Sequence, residues 1–491
     1  MGRILLSSVI TIVCLGLGSW LFAADKAAPS PFMLTPAQQS AVADVASRAD
    51  ELKSVNKAIW EYAEVGLQEH KSSALLVEKL KTSGFDVQTG VANMPTAFVA
   101  SYGSGQPIIG ILAEYDALPD LSQKVDAIRE PVVAGGAGHG CGHSGLGTAA
   151  LGAALAAKKA IDEHKLRGTI RLYGTPAEET LIGKVYMLLD SQFNDLDVCL
   201  HWHPSDHNGA QGGSSKAIVS AKFTFHGLPA HASASPQAGR SALDAVELMN
   251  VGVNYMREHV KEDSRIHYVV TNGGGQPNVV PPEATVWYFI RADKHQDVEA
   301  NFAWVQDIAR GAALMTKTTF DMHIDTDCHE VIANTPLAEA INANLRAIGP
   351  PKFSHEEHAF AQRIQQTLSD HPEQTFKVAL NEEVRNPSSV ASTGSTDVGD
   401  ISWKVPTGGL RTTCFAKGNP GHSWQNVACI GSSIGEKGTL YAAQVLAATT
   451  VQLLQDPDLL LAARADFAKR MKDREYTTLI PQGQKAPNAI R

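Results

Sequence analysis

The chain has 491 residues, which is too long for one hydrophobic core and fits two or three domains of ordinary size. Apolar residues make up 44% and charged residues 19% of the sequence, as in a typical globular protein rather than a fibrous or low-complexity chain. The net charge of -9 excludes a general nucleic-acid binder, because phosphate binding needs a basic surface.

The first 24 residues differ from the rest of the chain. Arg3 is followed by an apolar run, Ile4 to Phe22, which ends in the small residues Ala23-Ala24. This pattern predicts a cleaved secretory signal peptide over residues 1–24. The run is marginal in length for a membrane span, which favours cleavage; an uncleaved N-terminal anchor is the alternative. We therefore expect a periplasmic or secreted protein that has no membrane attachment after cleavage.

Predicted strands and helices alternate through the first part of the chain. Helical periodicity begins near residue 37 and continues toward Glu64. Buried strands are predicted at Pro107–Leu112, Thr169–Tyr173 and Asp197–His203, and a tightly packed helix at Ser144–Lys158. Such alternation predicts an α/β fold in which helices cover both faces of a sheet.

The pattern changes near Ser215. A strand, a helix and two strands are predicted at Lys216–Phe225, Ser241–His259, Arg265–Thr271 and Thr285–Ala292. After Pro336 the α/β pattern returns, with a helix predicted at His355–Ser369. We therefore predict a small α+β domain, residues 216–330, inserted into a larger discontinuous domain of residues 37–215 and 331–475.

Four short motifs carry residues with ligand or acid–base chemistry. They are Gly138-His139-Gly140-Cys141-Gly142-His143-Ser144, Thr175-Pro176-Ala177-Glu178-Glu179-Thr180, His201-Trp202-His203-Pro204 and Gly421-His422-Ser423-Trp424. Each alone is weak evidence, because packed cysteines, solvated glutamates and structural histidines are common. Each, however, lies at a predicted strand end or helix start, where open α/β sheets place their ligands.

Together the motifs offer a thiolate, several imidazoles and a carboxylate, a set that suits Zn²⁺, Mn²⁺, Co²⁺ or Ni²⁺ better than Mg²⁺ or Ca²⁺. Of the adjacent carboxylates Glu178 and Glu179, one can bind metal while the other accepts a proton. His201 and His203 are two residues apart on a strand and therefore share a face. Five cysteines follow the signal, and a metal would protect the spare thiol in an oxidising compartment.

In this order, the motifs resemble the di-metal aminoacylase/carboxypeptidase peptidase family, in the amidohydrolase branch that has a Cys-x-His ligand pair. The likeness covers almost the whole chain after residue 24. It also includes Trp60–Glu64, Ala113–Pro119, Gly227–Ala232, Gly239–Ala245, Pro277–Pro281 and Gly394–Asp400. The resemblance implies a metallopeptidase-type catalytic domain, with a mixed sheet covered by helices, and an inserted lid and dimerisation domain.

The resemblance also implies two divalent ions, Zn or Mn, with Co or Ni as further candidates. The matching ligand positions are Cys141, His143, Glu179, His422 and one histidine of the pair His201 and His203. The wider amidohydrolase branch favours His201 and the aminobenzoyl-glutamate branch favours His203; we favour His203. Glu114 departs from the wider superfamily, which often has a ligand histidine at this position.

Further roles follow from the resemblance. Glu178 matches the catalytic base, and Asp116 matches an aspartate that orients a ligand histidine. His231 resembles a histidine that relatives lend to the partner subunit's active site. Asn278 and Arg291 match positions that bind a substrate carboxylate or the carbonyl oxygen. A helix cap, a turn residue and a surface ion pair are the respective alternatives for His231, Asn278 and Arg291.

The activity that the resemblance implies is metal-dependent hydrolysis of an N-acyl or N-aroyl amino acid, with p-aminobenzoyl-glutamate as the substrate class. A dipeptidase or a general aminoacylase with the same site is the alternative. A non-catalytic subunit or binding protein is a further alternative, against which the presence of the base and of the ligand set argues. The implied partners are a small acyl-amino acid or dipeptide and a second subunit, in a homodimer or in a heterodimer with a related chain.

Overall fold

The computed structural model describes residues 32–368 and 376–487, so the predicted signal peptide lies outside the described residues. The helices are α1 Pro36–Ser47, α2 Ala49–Tyr62, α3 His70–Thr82, α4 His143–His164, α5 Gly183–Leu189, α6 Ala242–Met256, α7 His295–Thr316, α8 Thr335–Ile348, α9 His355–Gln365, α10 Val398–Ser402, α11 Trp424–Ile430, α12 Ser433–Gln455 and α13 Pro457–Arg470. The strands are β1 Asp86–Thr89, β2 Phe98–Ser104, β3 Ile108–Ala113, β4 Gly168–Gly174, β5 Val198–Ser205, β6 Gly209–Gln211, β7 Ala217–His226, β8 Arg265–Asn272, β9 Glu283–Ala292, β10 Thr319–Cys328 and β11 Thr407–Thr413.

The large sheet has seven strands in the order β1-β2-β4-β3-β5-β11-β6. Strands β4, β3, β5 and β11 run parallel to one another, whereas β1, β2 and β6 pair antiparallel at the two sides. It is a mixed sheet, as predicted. Because the four parallel strands end at the same edge, the segments that follow them meet there.

Helices cover both faces of this sheet. On one face, α1, α2, α4, α8 and α12 share a core with alternate strand residues such as Ile109, Ile111 and Leu200. On the other face, Leu112 and Cys199 pack in a core that includes α5 and α10. The predicted arrangement of a sheet between two helical layers is confirmed.

The second sheet has four antiparallel strands in the order β10-β7-β9-β8. Helices α6 and α7 share its core. The strands of this sheet span Ala217–Cys328. The predicted bounds of the inserted domain, 216 and 330, lie just outside this span, and the division into domains stays a prediction. The sequence analysis identified β7, α6, β8 and β9 but missed α7 and β10. The single helical stretch predicted from residue 37 toward Glu64 is two helices, α1 and α2, with a break at Arg48.

No helix in the described ranges combines the length and the apolar character that a bilayer crossing requires.

Gly399 in α10 lies against the backbone that follows β10, where a Cβ atom would overlap the carbonyl oxygen of His329. We expect Gly399→Ala to lower the free energy of unfolding by about 1–3 kcal/mol, because backbone cannot move aside as a flexible side chain can. Urea unfolding followed by circular dichroism measures the change.

Gly311→Ala in α7 is the matched control. Nothing lies within 4 Å of a Cβ atom at this position. Removing a glycine from a helix interior should raise stability by about 0.5–1 kcal/mol. Equal unfolding free energies for the two variants would contradict the expected close contact at Gly399.

Candidate metal centre

The predicted chemical motifs meet in a cavity of about 770 Å³. Residues from both sheets line it, including His203 on β5, Arg411 on β11 and Arg291 on β9. The predicted site residues in its wall are Cys141, Glu178, Glu179, His201, His203, Arg291 and His422. The edge at which the parallel strands end therefore forms one wall of the cavity.

Cys141, His143 and His203 form the first group of candidate ligands, with ligand atoms within 4.8 Å of one another. The Sγ atom of Cys141 lies 3.1 Å from Nε2 of His203. Gly142 separates Cys141 from His143 at the start of α4 and has a φ of 86°, which favours glycine. This turn brings both side chains to the end of β5, where His203 lies.

Hydrogen bonds at Nδ1 orient both histidine rings. Nδ1 of His203 donates to the carbonyl oxygen of Pro204 at 2.7 Å, and burial lowers the pKa of His203 to about 3. The ring is therefore neutral, with a lone pair at Nε2. Nδ1 of His143 contacts Oδ1 of Asp116 at 2.7 Å, and its buried Nε2 lies 3.3 Å from Oε2 of Glu114.

The surroundings of His143 favour a positive charge at this ring. Burial acts to lower the pKa of His143, but the charges of Cys141 and Asp116 outweigh it and raise this pKa overall. A proton or a metal ion at Nε2 supplies such a charge. The Cys141 thiol, whose pKa burial raises to about 12, needs a cation beside it to become a thiolate ligand.

Cys141, Glu179 and His422 form a second group of candidate ligands, also within 4.8 Å of one another. Oε2 of Glu179 lies 3.2 Å from Nε2 of His422. Oε1 of Glu179 is buried and makes no hydrogen bond, and burial raises the pKa of Glu179 to about 8. A borderline-soft divalent ion fits this donor set and would give a partner to Oε1 of Glu179.

Asp116 links the two groups. Its Oδ1 contacts Nδ1 of His143, and its Oδ2 accepts a hydrogen bond of 2.9 Å from the backbone N–H of Glu179. One buried carboxylate thus orients one candidate ligand and anchors the backbone of another. The structure places Asp116 where the predicted orienting role requires it.

Glu178 lies beside the same centre. Its Oε2 is 3.9 Å from Nε2 of His143, and Glu114, His143 and Glu178 form a third group of potential ligands. Burial and the charge of Glu114 raise the pKa of Glu178 well above its usual value. A carboxylate with a raised pKa suits proton transfer at neutral pH, which is the predicted role of Glu178.

The sequence analysis missed Lys184, a fully buried cation next to Glu178. Its Nζ lies 2.7 Å from Oε1 of Glu114 and donates to Oδ1 of Asp397 at 2.6 Å. Oδ2 of Asp397 also accepts from the backbone N–H of Lys184 at 2.9 Å. Lys184 neutralises part of the negative charge around Glu178. A Gly-Lys pair at a helix start gives no signal of burial in the sequence.

Glu69, also missed, supports the turn that carries Glu178. Its Oε1 accepts a hydrogen bond of 2.8 Å from the N–H of Ala177, and its Oε2 accepts one of 2.9 Å from Oγ1 of Thr96. Ala177 has a φ of 55°, a left-handed conformation that is rare for alanine. Glu69 therefore stabilises a strained residue directly before the predicted base.

His201 shares the face of His203, as predicted, but lies elsewhere in the cavity. Its ring is buried over Gly409, where a Cβ atom would overlap its Nε2. Burial lowers the pKa of His201 to about 3. Among the described residues, the candidate ligand groups include His203 and not His201.

Arg291 faces the cavity, as its predicted substrate-binding role requires. Its Nη1 donates to Oγ of Ser395 at 3.1 Å, and its Nε is buried without a hydrogen bond. No ion pair joins Arg291 to another described residue, and burial lowers its pKa; its substrate-binding role stays a prediction.

His231 and Asn278 lie outside this cavity, on an exposed loop pair of the four-stranded-sheet region. Nδ1 of His231 accepts hydrogen bonds from the N–H groups of Ser233 and Ala234 at 3.2 and 3.1 Å. Since Nδ1 accepts, a neutral His231 carries its proton on Nε2. The predicted role of His231 therefore needs a second chain, and it stays a prediction.

Residues 214–316 match the M20 "Peptidase dimerisation domain". A p-aminobenzoyl-glutamate hydrolase subunit from Escherichia coli is 40% identical over 465 residues, which are 89% of this chain and 97% of the relative. The chain belongs to the M20 peptidase family. It is a metallopeptidase-like hydrolase.

The chain is also similar to a dipeptidase and to a solved metal-binding peptidase. An Xaa-Arg dipeptidase from Mus musculus is 28% identical over 87% of this chain and 91% of its own length. A solved structure from Bacillus subtilis, described as a dinuclear metal binding peptidase from the M20 family, has a TM-score of 0.54 at 15% identity and covers 84% of this chain and 99% of its own. This fold and the family resemblance are those predicted from the motifs.

The histidine pair gives a direct test of the ligand set. Loss of a residue that only orients a metal ligand lowers metal affinity by roughly 10- to 100-fold. We expect His203→Ala to lower it by more than this, because the variant lacks the Nε2 lone pair that would bind the metal. Zn²⁺ affinity is measured by competition with a chromogenic chelator.

His201→Ala is the matched control, since it removes a buried imidazole two residues away on the same strand. Its metal affinity should stay within about threefold of the wild type, well below an outer-shell loss. A larger loss in His201→Ala than in His203→Ala would assign the ligand role to His201.

Proposed function

We propose that this chain cleaves the amide bond of p-aminobenzoyl-glutamate to give p-aminobenzoate and glutamate. The observation that carries the proposal is the convergence of Cys141, His143, Glu179, His203 and His422 beside Glu178 in one cavity. The 40% identity to the E. coli hydrolase chain, over nearly its whole length, supports this substrate over others.

Two divalent ions, Zn²⁺ or Mn²⁺, are the proposed cofactors, held by Cys141, His143, Glu179, His203 and His422. When bound, such ions lower the pKa of a water molecule and polarise the amide carbonyl. Their number and identity are part of the proposal; the thiol and imidazole donors support borderline-soft metals.

Glu178 performs the proton transfers in the proposed reaction. Its carboxylate accepts a proton from the attacking water and then delivers that proton to the leaving amine nitrogen. Glu179 cannot transfer this proton while its oxygens bind metal. In the proposed reaction Glu179 therefore binds metal and Glu178 transfers the proton. Asp116 keeps His143 and the backbone of Glu179 in place throughout.

Arg291 is the proposed receptor for the α-carboxylate of the substrate, since a guanidinium binds carboxylate with two parallel hydrogen bonds. Phe289 and Leu181 line the same cavity and offer apolar surface to the aromatic ring. The dipeptidase alternative has weaker support, because the Xaa-Arg dipeptidase is less similar and because the cavity wall contains guanidinium groups that would repel a basic side chain.

We propose that the active form is a dimer, with an identical or a related subunit. The dimerisation-domain match contains His231 and Asn278. The edge strand β8 exposes Val269 and Val270, an apolar edge of the kind that pairs with another chain. In such a dimer, the Nε2–H group of His231 would donate to the carbonyl oxygen in the second subunit's cavity.

The proposed location is the periplasm or the cell exterior. The apolar run Ile4 to Phe22 and the small residues after it support this proposal. Expression with the native N-terminus, cell fractionation and N-terminal sequencing of the product would test it.

The function is tested by stripping the purified protein with a chelator and adding back Zn²⁺, Mn²⁺, Co²⁺ or Ni²⁺ separately. Release of glutamate from p-aminobenzoyl-glutamate is then compared with hydrolysis of an Xaa-Arg dipeptide and of an acetyl-amino acid. Metal-dependent release with a preference for p-aminobenzoyl-glutamate is expected. Preference for the dipeptide would favour the alternative, and inactivity on all three substrates with every metal would contradict the proposal.

Glu178→Gln isolates the base. We expect kcat to fall by at least the roughly 10²–10⁴-fold typical of losing a general base, because an amide cannot accept the proton. Metal content and substrate affinity should be retained, since the variant keeps the size of the side chain. Elemental analysis and steady-state kinetics measure both, and full activity in Glu178→Gln would remove Glu178 from the mechanism.

A further inference from the structure

We infer that Arg411 selects substrates whose amino acid side chain carries a carboxylate, while Arg291 takes the α-carboxylate that every N-acyl amino acid has. This inference rests on the proposed amidohydrolase function and names the residue that gives it specificity. The relevant features are the position of Arg411 in the cavity and its lack of a partner.

The sheet register places Arg411 beside the candidate metal centre. On β11, Arg411 pairs with His203 of the parallel strand β5. Paired residues on neighbouring strands lie on the same face of a sheet, and both side chains line the cavity. Arg411 therefore approaches the site from the large sheet, whereas Arg291 approaches it from β9 of the small sheet.

The guanidinium of Arg411 has no counter-ion of its own. Among the described residues, no ion pair or hydrogen bond involves its side chain. The negative charges that act on Arg411 are those of Cys141, which is a candidate metal ligand, and of Asp206. Asp206 is already paired with Nζ of Lys417 at 2.6 Å and with Nδ1 of His207 at 2.8 Å. Arg411 is thus a largely buried cation free to bind an anion from the cavity.

A largely buried, unpaired charge is costly, so a guanidinium in this position favours an anionic ligand. Arg385 also lines the cavity, but Arg291 and Arg411 are the two arginines of its wall that lie on strands of the two sheets. Glutamate has two carboxylates, and its α-carboxylate alone would leave one of these two strand arginines without a partner. A substrate with an acidic side chain pairs both. A neutral side chain leaves Arg411 unpaired, and a basic one is repelled by it.

The test compares p-aminobenzoyl-glutamate with p-aminobenzoyl-glutamine on the metal-loaded full-length chain. These substrates differ in the side-chain charge and in little else. We expect Arg411→Met to lower kcat/KM about 10- to 100-fold for the glutamate substrate, the range of a hydrogen bond to a charged group. The value for the glutamine substrate should change less than about twofold, and Arg411→Lys should keep part of the preference for glutamate.

Arg167→Met is the matched control. Arg167 is exposed and directly precedes β4, at the edge of the sheet opposite the cavity. Arg167→Met changes the net charge by as much as Arg411→Met does, but away from the cavity. Both substrates should therefore keep their kcat/KM in this variant. Calorimetric binding of free glutamate and glutamine gives a second readout, which does not depend on turnover: Arg411→Met should weaken glutamate binding alone.

Three outcomes would overturn the inference. An equal loss for both substrates together with a lower metal content would mean that Arg411 supports the Cys141 thiolate instead. A wild-type preference for glutamine or for an arginine side chain would leave the amidohydrolase proposal intact but remove the selective role. Absence of hydrolysis by the wild type would contradict the proposed function. In that case calorimetry still tests Arg411: if Arg411→Met weakened the binding of free glutamate and of free glutamine equally, the selective role of Arg411 would be overturned.

Discussion

The two hydrogen bonds to Asp116 are the interaction on which the candidate metal centre depends. His143 comes from the start of α4 and Glu179 from the segment after β4, and Asp116 contacts the ring of the first and accepts from the backbone N–H of the second. The carboxylate is fully buried, so it is retained there only because both oxygens are satisfied. The two ligand groups are therefore one unit.

The site concentrates negative charge in a small buried volume. Glu69 has a pKa raised to about 8 by burial and by the charge of Asp116. Glu178 and Glu179 also have raised pKa values, and Lys184 supplies the one fully buried ammonium among the described residues of the site. Carboxylates in such a cluster are stable as anions only if cations accompany them, so a bound divalent ion would favour their charged forms.

The sequence motifs that meet in the cavity are those that lie on or follow parallel strands. The motifs around Cys141, Glu178, His203 and His422 are far apart in the chain, but parallel strands end at one edge, so alternation of strands and helices was enough to bring them together. The sequence pattern does not separate His201 from His203, because both share a face of the strand. In the structure the ring of His201 lies over the small Gly409 of the neighbouring strand, whereas His203 belongs to a candidate ligand group; its ligand role stays a prediction.

Other features could not be predicted from local patterns. Lys184 and Arg411 have no motif around them, and their importance comes from long-range partners or from the lack of one. Strand β10 buries Asp325, Thr326 and Asp327, so its sequence lacks the apolar alternation that marks a strand. Helix α7 does bury Val298, Phe302 and Val305 at helical spacing; this signal was present and was overlooked.

The division of the cavity wall between two sheets has a mechanical consequence. All the candidate metal ligands belong to the region of the seven-stranded sheet, whereas Arg291 belongs to the four-stranded sheet. The span between Arg291 and Arg411 is therefore set by how the two sheets pack against each other, whereas the distances among the candidate metal ligands are set within the region of the seven-stranded sheet. A substitution in the packing between the sheets would change the distance between the two guanidinium groups before it changed the ligand set.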